Sequence, residues 1–169
     1  WNDDFTSNNK IILYLKKNEN NIAHYLVKKN PKFESISYEY DPKKPVQSLG
    51  GNMITNNRIP GAAPDCCIQQ LDPGSRNDII SFISETLQEA AWITGSIEVH
   101  LFVSSSANAT AFTIKVIEIF ADGMSINIVD DITDIRWIDE EKIENYIPGS
   151  IRELVFKMND ISWKISSNS

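Results

Sequence analysis

The chain offers few side chains that could act as a nucleophile or a base. A serine hydrolase of the Gly-x-Ser-x-Gly type needs glycines on both sides of its serine, and none of the Gly-Ser pairs completes this pattern. His24 and His100 lie apart in strand-like segments without a partner at a catalytic spacing, so both are interpreted as strand-face histidines. Cys66, beside Cys67, is interpreted as a small buried side chain. These residue types predict a chain with no catalytic residues of its own.

Patterns for metal binding and ligand stacking are equally weak. The sequence contains no His-x-His, Cys-x-x-Cys or His-Glu-x-x-His motif. Asp130, Asp131 and Asp134 could hold Ca²⁺ through their carboxylates, but they lack the spacing and glycine of an EF-hand loop and are interpreted as solvated charge. Three tryptophans could stack on a sugar but are more typical of strand cores: Trp92, Trp137 and Trp163. We expect neither a metal nor a cofactor.

Composition favours an acidic, mostly β protein. The 169 residues have a formal net charge of -7 and a pI near 4.8, and they include 25 Ile against 9 Ala. Without a basic patch to displace counterions, the chain is predicted to bind neither nucleic acid nor an anionic membrane. No apolar run is long enough to span a bilayer. The adjacent cysteines make a poor disulfide, which favours a reducing, cytoplasmic compartment.

Alternation and β-branched content predict about nine strands, and the connections between them are rich in Pro and Gly. The predicted strands are 10–15, 23–27, 33–40, 78–83, 96–104, 112–120, 124–129, 132–138 and 151–158. Only 84–91 has a helical pattern, with Ser84 as a candidate N-cap. The segment 41–77 is predicted to be a long Pro/Gly-rich loop, of which 41–74 is expected to be poorly ordered or packed in a crystal contact when the domain is alone. Such a pattern is typical of a β-sandwich or jelly roll, here one domain over 1–169.

Two motifs carry a resemblance to a known family. The first contains Tyr40-Asp41-Pro42, then Pro45, and ends on Gly50-Gly51. The second is the Asp122-Gly123 turn, which is followed by Asn127. Together they resemble the C-terminal domain of X-prolyl dipeptidyl-peptidases, cocaine esterase and the cephalosporin acylases (α-amino acid ester hydrolases), and the similarity extends over most of the chain. The departures include Ala109 and Ala111, where relatives often carry acidic residues.

The resemblance implies a jelly-roll β-sandwich of the galactose-binding type, truncated at its C-terminus relative to its relatives. It also implies a partner, an N-terminal α/β-hydrolase domain of the same polypeptide. That domain would carry the catalytic serine, aspartate and histidine before Trp1 and would act on a small ester or peptide substrate. In this family the loop after the glycine pair approaches the pocket, which makes Met53 and Ile54 candidate pocket-wall residues. The alternatives are an independent carbohydrate- or ligand-binding jelly roll and a purely structural or oligomerising domain.

Overall fold

The described part of the chain is all-β. The structure is a computed structural model, and it describes residues 10–19, 23–47, 49, 69–138 and 142–169. These residues form nine strands and no helix. The strands are β1 (Tyr14–Lys16), β2 (His24–Val27), β3 (Phe82–Ile83), β4 (Ala91–Gly95), β5 (Glu98–Val103), β6 (Ala111–Ile119), β7 (Ser125–Asp134), β8 (Arg152–Lys157) and β9 (Ile161–Ile165). The predicted all-β class is confirmed; the jelly-roll connectivity remains a prediction.

The chain divides into two compact units. The first unit comprises Trp1–Val46 and Leu71–Thr86, and its three strands form one sheet in the order β1-β2-β3. β1 and β2 form the predicted antiparallel hairpin, with Tyr14 opposite Val27, whereas β3 pairs in parallel with β2. No helix in the described part of the chain is long and apolar enough to cross a membrane.

The second unit comprises Gln47–Gln70 and Leu87–Ser169, and its strands form three antiparallel pairs. These are β4 with β9, β5 with β8, and β6 with β7. Along β8, Leu154 and Phe156 are buried and alternate with exposed neighbours, which is the period-2 pattern of a strand with one covered face. Val129 and Ile135 are also almost fully buried, so the apolar core of this unit lies along β7 and β8.

The β6–β7 hairpin carries the residues of the candidate site described below. Its loop is the three residues 121–123: Phe120 N donates to Met124 O at 2.8 Å, and Gly123 N donates to Phe120 O at 2.9 Å. Gly123 takes φ +85°, whereas Asp122 is not in the left-handed region, so this is a three-residue hairpin loop closed by a left-handed glycine. A β-bulge between Val116 and Ile117 shifts the register within the hairpin.

Several predicted elements are wrong. Residues 84–91 contain no helix; their last residue begins β4, and Leu87 instead exchanges backbone hydrogen bonds with residues 168 and 169. Residues 33–40 contain no strand despite their alternation. The two strands predicted over 124–129 and 132–138 are one strand, β7, that ends at Asp134. Two strands that were not predicted, β4 and β9, pair with each other.

Candidate functional site

The two candidate pocket-wall residues lie outside the described residues, in a segment whose two described flanks lie close together. Met53, Ile54 and the Gly50-Gly51 pair fall in 50–68, outside the described residues. Leu49 lies immediately before this segment, and Gln69 lies immediately after it. The structure therefore shows how the flanks of the segment are held, on the β6–β7 hairpin of the second unit.

We call this set of residues the neck: Leu49, Gln69, Gln70, Lys115 and Ser125. At its centre, the carbonyl oxygen of Leu49 accepts hydrogen bonds from Lys115 Nζ and Gln70 Nε2, both at 2.9 Å. Lys115 Nζ also donates to Gln70 Oε1 at 3.0 Å, which closes a three-membered network. Gln70 is 6% exposed, and both ends of its amide are satisfied within this network. One lysine on β6 thus binds the residues on both sides of 50–68.

Ser125, the first residue of β7, supplies the rest of the neck. Its backbone N donates to Gln69 Oε1 at 3.0 Å, and its carbonyl accepts from Gln70 N at 2.8 Å. Gln69 Nε2 in turn donates to Ser125 Oγ at 3.0 Å, and an isolated bridge pairs Gln69 with Ile126. The returning chain is therefore fixed to the hairpin by backbone and side-chain bonds together.

A buried acceptor lies on the hairpin close to the neck. Asn127 is two residues after Ser125 on β7, so the two side chains share a face of the strand. Asn127 is 3% exposed, and its Oδ1 has no hydrogen-bond partner among the described residues. Because buried polar atoms are nearly always paired, this oxygen is an exception among the buried side-chain atoms of the described residues.

The electrostatics of the neck depend on one partly buried cation. Burial lowers the pKa of the Lys115 ammonium, and the charge of Asp130, its cross-strand partner on β7, opposes that shift. A partly desolvated ammonium needs acceptors, and here they are an amide oxygen and a carbonyl. The Lys115 ammonium is therefore suited to holding the backbone at Leu49 in place rather than to transferring a proton.

The first family motif forms a clamped turn in the first unit. Asp41 Oδ1 accepts from Lys43 N, and Asp41 O accepts from Lys44 N, both at 2.9 Å, with Pro42 at the position where its fixed φ favours a turn. Arg76 Nη2 donates to Lys44 O at 2.7 Å and to Asp78 Oδ2 at 2.6 Å. The Arg76 hydrogen bond holds the pKa of Asp78 below its usual range. Tyr40 and Pro45 flank this turn in the chain.

The second motif caps the β6–β7 hairpin. Asp122 Oδ1 accepts from Met124 N at 3.0 Å, and Gly123 supplies the left-handed residue that precedes β7. Both motif residues thus have a conformational role in the turn, and Gly123 lies two residues before the neck residue Ser125. No substrate-binding role follows from these contacts.

Both histidines have structural partners. His24 is buried, and its Nδ1 accepts from Asn18 N at 3.0 Å. Its ring lies 5.4 Å from that of Phe82, measured between centroids, in agreement with the strand-face interpretation. His100 is exposed but does have partners, because its two ring nitrogens lie 2.8 Å from Glu153 Oε1 and 2.7 Å from Glu98 Oε1. The two carboxylates bind opposite edges of the ring and cannot converge on one metal ion.

Of the remaining candidates, Trp92 and Trp137 are 55% and 42% exposed, so the expectation of a strand-core position is wrong for both, whereas Trp163 and two of the aspartates have structural partners. Trp163 Nε1 donates to Glu118 Oε2 at 2.6 Å, so this indole packs against a buried carboxylate. Asp134 forms an ion pair with Arg136 Nε at 2.8 Å, while Asp131 Oδ1 accepts from Ile132 N. Within the described ranges no three His, Cys, Asp or Glu side chains form a group that could hold a metal. Cys66 and Cys67 lie outside those ranges.

The neck was missed in the sequence because its residues carry no motif. Lys115 is a single lysine inside an apolar strand, and Gln69-Gln70 is an ordinary polar pair at the end of a long loop. The only available signal was the charge itself, since a lysine in the middle of a predicted β-strand needs a partner. Its partners are 66 and 45 residues away in the chain, beyond the reach of local patterns.

Comparison with known proteins gives two matches. The family model described as the X-Pro dipeptidyl-peptidase C-terminal non-catalytic domain matches residues 38–165, a range that contains the neck and both motifs. A cocaine esterase from Rhodococcus sp. (strain MB1 Bresler) is 38% identical over 101 residues, which cover 60% of this chain and 17% of that enzyme. The aligned region is therefore a small part of this relative.

Proposed function

Because the chain belongs to the family of X-Pro dipeptidyl-peptidase C-terminal non-catalytic domains, we propose that it shapes and covers the active site of a serine hydrolase. In this proposal an α/β-hydrolase domain of the same polypeptide precedes the chain and performs the reaction. The substrate class is a small ester or a peptide-like amide. The ester half of that class is supported by the similarity to a protein named cocaine esterase.

The observation that carries the proposal is the neck. Lys115 and Gln70 both bind the carbonyl of Leu49, the residue next to Gly50-Gly51, and the returning chain at Gln69 is bound by Ser125. Both described flanks of 50–68 are thus bound to one hairpin, and segments attached to such a scaffold are the usual setting for residues that contact a ligand. Met53 and Ile54 lie in that segment.

The proposed contribution to catalysis is a pocket wall rather than a reacting group. An apolar wall excludes water and orients the acyl or leaving group near the nucleophile of the hydrolase domain. One methylene in such a wall changes discrimination between substrates by about 1–3 kcal/mol. Neither histidine of this chain is needed for this role, and both are engaged in structural contacts.

The test is to substitute Met53 or Ile54 by Ala in the full-length protein and to compare two aryl esters that differ in acyl size. A wall role predicts that the ratio of the two kcat/KM values changes by about 5- to 100-fold while Tm stays near that of the wild type. A matched apolar-to-Ala change at exposed Val155, on β8, should leave the ratio unchanged. If both esters lose activity equally and Tm falls, the two residues only seal an interdomain contact.

A further inference from the structure

We infer that the β1–β2 hairpin is a docking surface for the preceding hydrolase domain, and that the surface it meets there is apolar with an acidic border. We call its residues 10–17 and 24–29 the basic hairpin. The inference rests on the proposed function, since it supposes that domain. It adds which face of this chain meets the domain and by what chemistry.

The first unit has no apolar core of its own in the part that the structure describes. Every almost fully buried apolar side chain lies in the second unit: Val129, Ile135, Tyr146, Leu154, Phe156 and Met158. Among the described residues of the first unit, only the polar side chain of His24 is buried to this degree. A small sheet is stable in water only when it has a covered apolar face. We therefore expect this unit to gain its cover from a partner.

The apolar side chains that need cover lead into strand β1. Residues 11–15 are apolar at all five positions, so both faces of this segment are apolar, as in a strand that is covered on both sides. Yet Ile11 is 74% exposed and Ile12 is 56% exposed, and Tyr25, opposite Lys16 on β2, is exposed as well. A contiguous exposed apolar surface of this kind marks an interaction site.

The charges around these apolar side chains are all of one sign. The basic hairpin contains five lysines and no Asp or Glu, although the whole chain has a net charge of -7: Lys10, Lys16, Lys17, Lys28 and Lys29. Among the described residues their ammonium groups form no ion pair, and Glu34 Oε2 accepts from the backbone N of Lys17 instead. Charges at the border of an interface select a partner of opposite potential. The partner surface should therefore carry Asp and Glu around an apolar centre.

The position of the basic hairpin in the chain favours the preceding domain as the partner. The hairpin lies before residue 38, where the match to the C-terminal, non-catalytic family begins. The region aligned with the cocaine esterase is 17% of that enzyme, so most of the relative lies outside it. A covalently attached domain also has a high effective concentration, which lets a surface of modest size dock stably. A second copy of the chain and an anionic membrane are the other occupants that the experiment distinguishes.

The first experiment is carbodiimide cross-linking of the full-length protein, as an equal mixture of nitrogen-14 and nitrogen-15 samples. This reagent joins a lysine amine directly to a carboxyl group that is in contact with it, and mass spectrometry identifies both residues. We expect lysines of the basic hairpin to couple to Asp or Glu residues upstream of Trp1, within one copy. The isotope label separates such links from links between two copies.

The second experiment measures hydrogen exchange of the amides in 10–17, again in the full-length protein. The double variant Lys28→Glu/Lys29→Glu places like charges against the acidic border and should speed this exchange about three- to tenfold. High salt should shrink the difference from the wild type. Lys164→Glu, at an exposed lysine on β9, is the matched control and should exchange at the wild-type rate.

The inference is overturned if no lysine of the basic hairpin couples to a residue upstream of Trp1, whether the links stay within 1–169 or join two copies. It is also overturned if the wild type, but not Lys28→Glu/Lys29→Glu, sediments with phosphatidylserine vesicles. If the lysines couple upstream while Met53→Ala leaves the substrate ratio unchanged, the pocket wall fails and the docking surface stands. The reverse result removes the docking surface alone. Should the double variant fold poorly, cross-linking of the wild type decides.

Discussion

Trp163 Nε1 donates a 2.6 Å hydrogen bond to Oε2 of Glu118, and this contact links β9 to β6. The other carboxylate oxygen accepts from Ser166 N at 2.7 Å. Burial alone would raise the pKa of Glu118, but these hydrogen bonds, with contributions from Ser169, outweigh it and hold the pKa below its usual range. A buried carboxylate with both oxygens engaged is thus part of the support for the strand that carries Lys115.

We predict that Glu118→Gln lowers the free energy of unfolding by about 1–3 kcal/mol, because one of the two donors then faces an amide NH₂ group instead of an acceptor. Urea unfolding at neutral pH measures this loss. Glu85→Gln, at an exposed site, is the matched control and should change stability by less than about 0.5 kcal/mol. A loss no larger than that of the control would contradict the structural role of the carboxylate.

Glu118 should also make the free energy of unfolding depend on pH in the acidic range. A carboxyl with a depressed folded pKa contributes stability above its unfolded pKa, about 4.3, and loses it as pH falls through the folded pKa. The wild type and Glu118→Gln should therefore approach each other in unfolding free energy below about pH 4. A difference that stays constant from neutral to acidic pH would show that ionisation of Glu118 is irrelevant.

For the exposed His100 we predict the opposite dependence of folding stability on pH. Its hydrogen bonds to Glu153 and then Glu98 raise the pKa of the imidazole above the ordinary 6.5. A raised folded pKa contributes stability that is fully present below the unfolded pKa and is lost as pH rises through the folded value. His100→Gln should thus cost more stability near pH 5.5 than near pH 8.5, and the effect should shrink in high salt.

An NMR titration of the His100 ring tests the cause directly. In the double variant Glu98→Gln/Glu153→Gln, the pKa of His100 should fall toward its ordinary value, because both charge partners on the exposed sheet face are gone. An unchanged titration midpoint in the double variant would mean that other groups raise the pKa.

Gly123 is predicted to be needed for its backbone conformation alone. Its φ is +85°, and a Cβ placed there would meet no atom within 4 Å, so any cost of substitution comes from strain rather than from a clash. Gly123→Ala should cost about 1–2 kcal/mol, and Gly123→Asn less, because Asn tolerates the left-handed region better. Thermal or urea unfolding measures both, with Ala121→Ser as a neutral control in the same loop. Equal costs for Ala and Asn would contradict this reason.

The sequence predicted best those elements whose partners are close in the chain. The hairpins β1–β2 and β6–β7 join neighbouring segments, and their alternation and turn residues specify both strands. β4 and β9 were missed because they pair across about seventy residues, as with Trp92 opposite Lys164, and neither is long. The helical spacing in 84–91 was overridden by tertiary pairing, since Leu87 bonds to Asn168 and Ser169 instead.

The sequence pointed to the motif residues but not to the neck. The two motifs contain the turns at Asp41 and Asp122, and in each turn the aspartate side chain accepts a backbone hydrogen bond that the sequence analysis did not anticipate. Lys115 could not have been found this way, because the role of a single lysine depends on its hydrogen-bond acceptor, here the carbonyl of Leu49, which is distant in the chain. The roles of Met53 and Ile54 rest on the resemblance and remain predictions.

The chain by itself should show no hydrolysis of aryl esters or dipeptide anilides. Its described residues contain no nucleophile–base pair, and the family is non-catalytic. The measurement is turnover by the highly purified chain, with His24→Gln and His100→Gln variants as controls. Activity that persists on purification and is lost in either variant would contradict the prediction that this chain alone is inactive. A tight ligand on a glycan array would instead favour an independent binding module.

The most direct test of the central claim is a fluorine NMR measurement on the full-length protein with trifluoromethylphenylalanine at position 53. An active-site-directed phosphonate labels the catalytic serine of the proposed hydrolase domain, and mass spectrometry confirms complete labelling. We predict that the fluorine resonance at position 53 shifts on labelling, and shifts further with a bulkier phosphonate. The same probe at Phe33, which is 86% exposed and precedes the matched range, should not move. An unmoved resonance at position 53 after complete labelling would contradict the claim that this segment lines the active site.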